Sequence, residues 1–69
     1  MIVYFVDIDE KDIIDMDTQF KSGTDISPLD IPLKGDMIED FIHRNWEVVG
    51  RKHYFIQSVH EMRVFLRKC

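Results

Sequence analysis

Hydrophobic and polar positions alternate along much of this chain, with the period of a strand rather than a helix. Ile2, Tyr4, Val6 and Ile8 fall on one face of an extended segment, and Val3 and Phe5 add apolar bulk to the other. β-Branched and aromatic residues in this pattern predict a first strand, buried on both faces near its start. Asp7, Asp9 and Glu10 end it. Lys11 to Phe20 reads two ways. Ile13, Ile14, Met16 and Phe20 fit one and a half helical turns, whereas Ile14, Met16 and Phe20 also fit one strand face, with Asp15 and Asp17 towards water. Asp12, Asp15 and Asp17 disfavour a helix interior, so a second strand paired with the first is expected.

Lys21 to Asp30 reads as a loop. Ser22-Gly23-Thr24-Asp25 clusters turn formers, and Ser27-Pro28 restricts the backbone further. Ile26, Leu29, Ile31 and Leu33 recur through it, which predicts that the loop folds back over an open end of the core. Lys34-Gly35-Asp36 forms a tight turn into a strand over Met37 to Ile42. His43-Arg44-Asn45 is a hairpin connection, with Asn45 suited to a left-handed conformation. The strand from Trp46 to Ile56 is longer than usual, and Gly50 within it marks a bulge. Gln57 to Glu61 turns the chain into a final strand. There Met62, Val64 and Leu66 face one way, and Arg63, Phe65 and Arg67 the other.

The run Ile31-Pro32-x-x-Gly35-Asp36-x-Ile38, then Trp46-x-Val48-Val49, then Arg63-Val64-x-Leu66 resembles small SH3-like β-barrel proteins. Many of these are short proteins of bacteria and their phages. The resemblance covers about residues 28 to 68 and implies an all-β, five-stranded antiparallel SH3-like barrel, with residues 1–69 as a single small domain. Core candidates are Val3, Phe5, Ile31, Ile38, Trp46, Val48, Val64 and Leu66. The chain departs from the pattern in its acidic N-terminal segment and in having Gly50 where an apolar residue is expected. The resemblance implies a fold and transfers no activity. A phage or mobile-element accessory role, binding or inhibiting a host protein, is an expectation from size and resemblance alone.

Composition adds bounds. A chain of 69 residues buries only about 60% of its unfolded surface. Cys69 is the only cysteine, so a disulfide within the chain is excluded, and a free thiol fits a reducing cytoplasm. The N-terminal apolar run is too short for a membrane span and lacks the flanks of a signal peptide. A soluble cytoplasmic protein is the expectation. The net charge of −4 conceals a divide. Residues 1–40 carry eleven Asp/Glu against three Lys (−8), and residues 41–69 six Lys/Arg against two Glu (+4). Such a divide either marks a charged binding face or neutralises itself across the sheet.

Candidate chemistry is sparse. His43, His53 and His60 match no compact ligand spacing, so no metal or cofactor is expected. Asp7, Asp9, Glu10, Asp12, Asp15 and Asp17 form an acidic stretch. An EF-hand is ruled out, because the sixth position counted from Asp7 is Asp12 and the twelfth is Thr18. The stretch is then a solvated rim, or a carboxylate array that attracts a basic groove. Arg44, Arg51, Lys52, His53, Tyr54, Phe55, Arg63, Phe65, Arg67 and Lys68 mix cations and rings, as a single-strand nucleic-acid platform requires. They equally suit a cross-strand Phe55–Phe65 core pair flanked by snorkelling arginines. No nucleophile motif supports an enzyme, and so small a barrel leaves little room for a ligand cavity. The expected role is a non-catalytic module that binds a protein partner, or itself, through sheet edges and an aromatic face near Trp46. The alternative is a nucleic-acid-binding barrel using the basic C-terminal strands.

Overall fold

The first strand, β1 (Ile2–Asp7), alternates as its sequence predicts: Val3, Phe5 and Asp7 are buried, while Ile2, Tyr4 and Val6 are half-buried. The computed structural model describes residues 1–16 and 21–69. Five further strands follow: β2 (Ile13–Ile14), β3 (Thr24–Asp25), β4 (Met37–Glu39), β5 (Asn45–Ile56) and β6 (Val59–Lys68). Among the described residues the only helical segment is one 3₁₀ turn, Pro28–Asp30. The all-β class is therefore correct. All six strands belong to one sheet in the order β2-β1-β6-β5-β4, with β3 pairing β1 beside β2.

The expected five-stranded antiparallel barrel needs correction on three points. There are six strands, and the sheet is mixed because β1 and β6 run parallel, from Ile2 opposite Glu61 to Asp7 opposite Leu66. The sheet also stays open, since its outer strands β2 and β4 do not pair. Strand periodicity encodes faces, not which distant strands meet, and β1 and β6 are the first and last strands of the chain.

The second strand does pair antiparallel with β1, through Phe5 opposite Ile14 and Val6 opposite Ile13. Ile14 and Met16 are buried and Asp15 is exposed, as the strand reading requires; the Asp17 and Phe20 positions lie outside the described residues. Between β2 and β3 the ladder is bridged by Ser22. Its hydroxyl donates to Ile14 O at 2.6 Å and accepts from Phe5 N at 2.8 Å, so a side chain satisfies a backbone donor that would otherwise be buried without a partner. The loop folds back as predicted at Ile26 and Ile31, which are buried, but Leu29 is 95% exposed and Leu33 is exposed too.

The core comprises Val3, Phe5, Ile14, Met16, Ile26, Ile31, Trp46, Val48, Met62, Val64 and Leu66, with Ile38 packed against it. β5 and β6 form a hairpin around a two-residue turn, Gln57–Ser58, both at positive φ, the type I′ geometry that matches strand twist. The ladder slips between Val48 and Gly50, the bulge that Gly50 predicted. The strand predicted to reach Ile42 stops at Glu39, because Asp40 caps a turn. In that turn His43, not Asn45, is the residue with positive φ.

Candidate functional site

The β5–β6 register decides which candidate residues share a face. From the turn, Ile56 faces Val59, Phe55 faces His60, His53 faces Met62 and Arg51 faces Val64. Paired residues point to the same side of a sheet, so Arg51, His53 and Phe55 stand with Met62 and Val64. Arg63 and Phe65 pair instead with Lys52 and Gly50. The expected platform joining Arg51, His53 and Phe55 to Arg63, Phe65 and Arg67 is thus split between opposite faces. The Phe55–Phe65 cross-strand pair is likewise absent. The bulge is the cause: it adds a residue to β5 and exchanges the faces of everything beyond it.

Trp46 is 1% exposed, which removes the expected aromatic surface. Its Nε1–H donates to Asp40 Oδ2 at 2.9 Å. Asp40 is itself buried and also accepts from Arg44 Nε at 2.7 Å, Arg44 N at 2.9 Å and Ile42 N at 3.0 Å. Burial pushes its carboxyl up, but the bonds from Trp46, the Arg44 backbone, the Arg44 side chain and Ile42 outweigh that and hold it at about 2. Arg44 also lies 5.3 Å from the Trp46 ring centre. Arg44 and Trp46 are therefore joined in a structural corner around Asp40. Beside them, the hydrogen bond that His43 Nδ1–H donates to Glu39 Oε1 (2.7 Å) raises the His43 pKa, and the Glu39 charge adds to it.

The acidic stretch is also dispersed. Asp7 is buried, and its Oδ1 accepts from Asp9 N at 2.9 Å, capping the turn after β1. Asp15 accepts from Ser22 N at 3.0 Å. Asp9, Glu10 and Asp12 remain as an exposed rim, and Asp17 lies outside the described residues. Among the described residues no group of three or more His, Cys, Asp or Glu could hold a metal ion, and no helix is long and apolar enough to cross a membrane.

Two surfaces remain. The first is the distal half of the hairpin. β4 covers β5 only at Asn45–Glu47, and the turn before it bonds both backbone groups of Val48 through Gly35 N and Asp36 O. Beyond that, Arg51 to Ile56 has no outer neighbour among the described residues. Phe55 is 75% exposed there, with Ile56 and Val59 half in solvent. The second is an open groove of about 480 Å³ lined by Tyr4, Val6, Lys11, Ile13, Ile56, Glu61 and Arg63. Beside it, Arg63 lies 4.4 Å and Lys52 5.2 Å from the Tyr54 ring centre. This groove is an open face rather than an interior cavity. Lys52 and Tyr54 belong to the cations and rings expected from the sequence, whereas Tyr4 and Lys11 were not singled out, because nothing in their spacing shows that β1 and β5 flank β6 on one face.

The chain matches no family model, no curated protein and no solved structure.

Proposed function

We propose that this protein is a non-catalytic interaction module that adds an acidic, extended segment of another protein to the free edge of β5. The observation that carries the reading is the unpaired stretch from Arg51 to Ile56, ending in the exposed Phe55, Ile56 and Val59. A two-residue turn makes its flanking residues a hydrogen-bonded pair. Alternation along the ladder then directs the N–H and C=O groups of Arg51, His53 and Phe55 away from β6. Such an edge is a template for strand addition. Arg51 and Lys52 set the sign of the partner: among the described residues neither forms an ion pair, so a strand carrying carboxylates supplies what they lack. The likeness to small SH3-like barrels is part of this proposal. It rests on the Gly35 turn and on the bulge in β5.

The test is titration with a short peptide alternating Asp and Val, followed by the backbone amide resonances. Binding is expected to shift Arg51 to Ile56 and to weaken about tenfold or more in Phe55→Pro, which loses an outward donor and an apolar contact. Equal binding of a Lys–Val peptide, or shifts confined to other strands, would refute it.

The groove favours a second reading, a single-stranded nucleic-acid contact, because Lys11, Lys52 and Arg63 surround Tyr4 and Tyr54. Cations and stacking rings are what such a strand needs, although Glu61 opposes it. Fluorescence anisotropy with a labelled oligonucleotide decides. Binding at low salt that falls steeply as salt is added supports the reading, and none at low salt removes it.

A further inference from the structure

Strand addition makes no use of the imidazoles near the tip of the same hairpin. His53 stands opposite Met62 and His60 opposite Phe55, so the two histidines are diagonal neighbours on one face. His53 Nδ1 lies 2.7 Å from His60 Nε2. The two rings stack with centroids 5.0 Å apart, and the Phe55 ring stacks on His60 at 4.5 Å. We propose that His53 and His60 form a two-ligand site for a borderline transition-metal ion of the Zn²⁺, Ni²⁺ or Cu²⁺ class.

The chemistry follows from the shared proton. At this separation one nitrogen donates and the other accepts, so a single proton lies between two lone pairs that already converge. When a metal ion takes the proton's place, that proton passes through water to the far nitrogen of the donor ring, so both rings stay neutral and both facing lone pairs gain a common acceptor; imidazole nitrogen suits these ions. Zn–N bonds of about 2.0 Å at a tetrahedral angle set the nitrogens about 3.3 Å apart. The rings must therefore separate by about 0.6 Å from their present 2.7 Å. His53 is exposed and His60 half-buried, so small side-chain rotations supply that movement. Phe55 restricts the His60 ring by stacking on it, which lowers the cost of ordering the ligand. With two protein ligands the other coordination positions fall to water or to a donor from a bound chain, so the site is open and weaker than a closed structural one.

The test uses the untagged full chain, titrated with zinc chloride by calorimetry and followed through the histidine ring resonances. One ion per chain is expected, with shifts at His53 and His60. Loss of an outer-shell partner alone costs a metal site about 10- to 100-fold. His53→Ala and His60→Ala should each lose at least that, while His43→Ala, at the far turn and bonded to Glu39, should bind as the parent does. An unchanged thermal midpoint without metal shows that each variant is folded; if His60→Ala is not, His60→Gln takes its place. Affinity unaffected by either substitution, or rings that do not move at millimolar zinc, would overturn the site. The Asp–Val peptide titration is independent of this outcome.

Discussion

Asp40 ties the core to the turn between β4 and β5. Its carboxylate joins the Trp46 indole, the Arg44 side chain and two turn amides, so the core and the β4–β5 turn share one anchor. Hydrogen bonds to charged groups contribute about 1.5–3 kcal/mol each. Because these bonds share one acceptor they do not add, and Asp40→Asn is expected to lower stability by about 2 kcal/mol near neutral pH, read from urea unfolding. The pH dependence has a definite sign. The folded carboxyl titrates at about 2 against an ordinary 3.8, so its contribution is complete above the ordinary value and lost as pH falls through about 2. The gap between parent and variant should close over that window; a gap constant down to pH 2 would show that the charge is not what matters. His43 behaves oppositely. Its pKa is raised above 6.5 by Glu39, so the pair stabilises the turn below that value and ceases to do so as pH rises through the raised pKa. In Glu39→Gln the His43 ring should titrate back towards 6.5, measured by NMR. The sequence reading put Asp40 inside a strand and gave it no role, because a buried acceptor is recognised by its donors, and these lie two, four and six residues on.

The β5–β6 hairpin shows how far local pattern reaches at the scale of elements. Met62, Val64 and Leu66 are all buried, so the inward face of β6 was legible from alternation alone. The bulge at Gly50 was legible as well. Its consequence was not: whether Arg51 shares a face with Arg63 depends on the length of the turn and on the single residue the bulge inserts. A two-residue turn at Gln57–Ser58, in place of a longer one over Gln57 to Glu61, sets the opposite pairing. The glycines test this account. Gly50 is not at positive φ, and a Cβ there would meet nothing within 4 Å. Gly50→Ala should therefore be neutral or stabilise by up to about 1 kcal/mol, through a less flexible unfolded chain. Gly35 has φ +95°, a conformation that opposes a side chain. Gly35→Ala should cost about 1 kcal/mol or more despite open space around it. Thermal midpoints that move together in the two variants would contradict the distinction.

Across the whole molecule, the charge divide read from the sequence persists in the fold, but its meaning changes. The ion pairs that cross from residues 1–40 to 41–69 are Asp40 with Arg44 and Glu39 with His43, both local to one turn. Among the described residues, Arg51, Lys52, Arg63, Arg67 and Lys68 pair with no carboxylate, so direct pairing between the halves is confined there to that turn. Topology explains this. β1, β2 and β3 lie on one side of β6 and β5 on the other, and the acidic half reaches β5 only through β4 and the turn before it, at the Asn45–Val48 end; no alternation in the sequence could show that the first and last strands pair side by side. The cations of β5 are thereby left along its unpaired edge, where interactions over about 8–10 Å survive ordinary salt. If these charges select the partner, reversing them should reverse the choice. Arg51→Glu with Lys52→Glu changes two exposed side chains, so thermal unfolding should stay close to that of the parent. The variant should lose the Asp–Val peptide and take up the Lys–Val peptide at the same β5 amides. A folded variant that still prefers the acidic peptide would move recognition away from this edge and towards the groove, where Lys11 and Arg63 would be untouched.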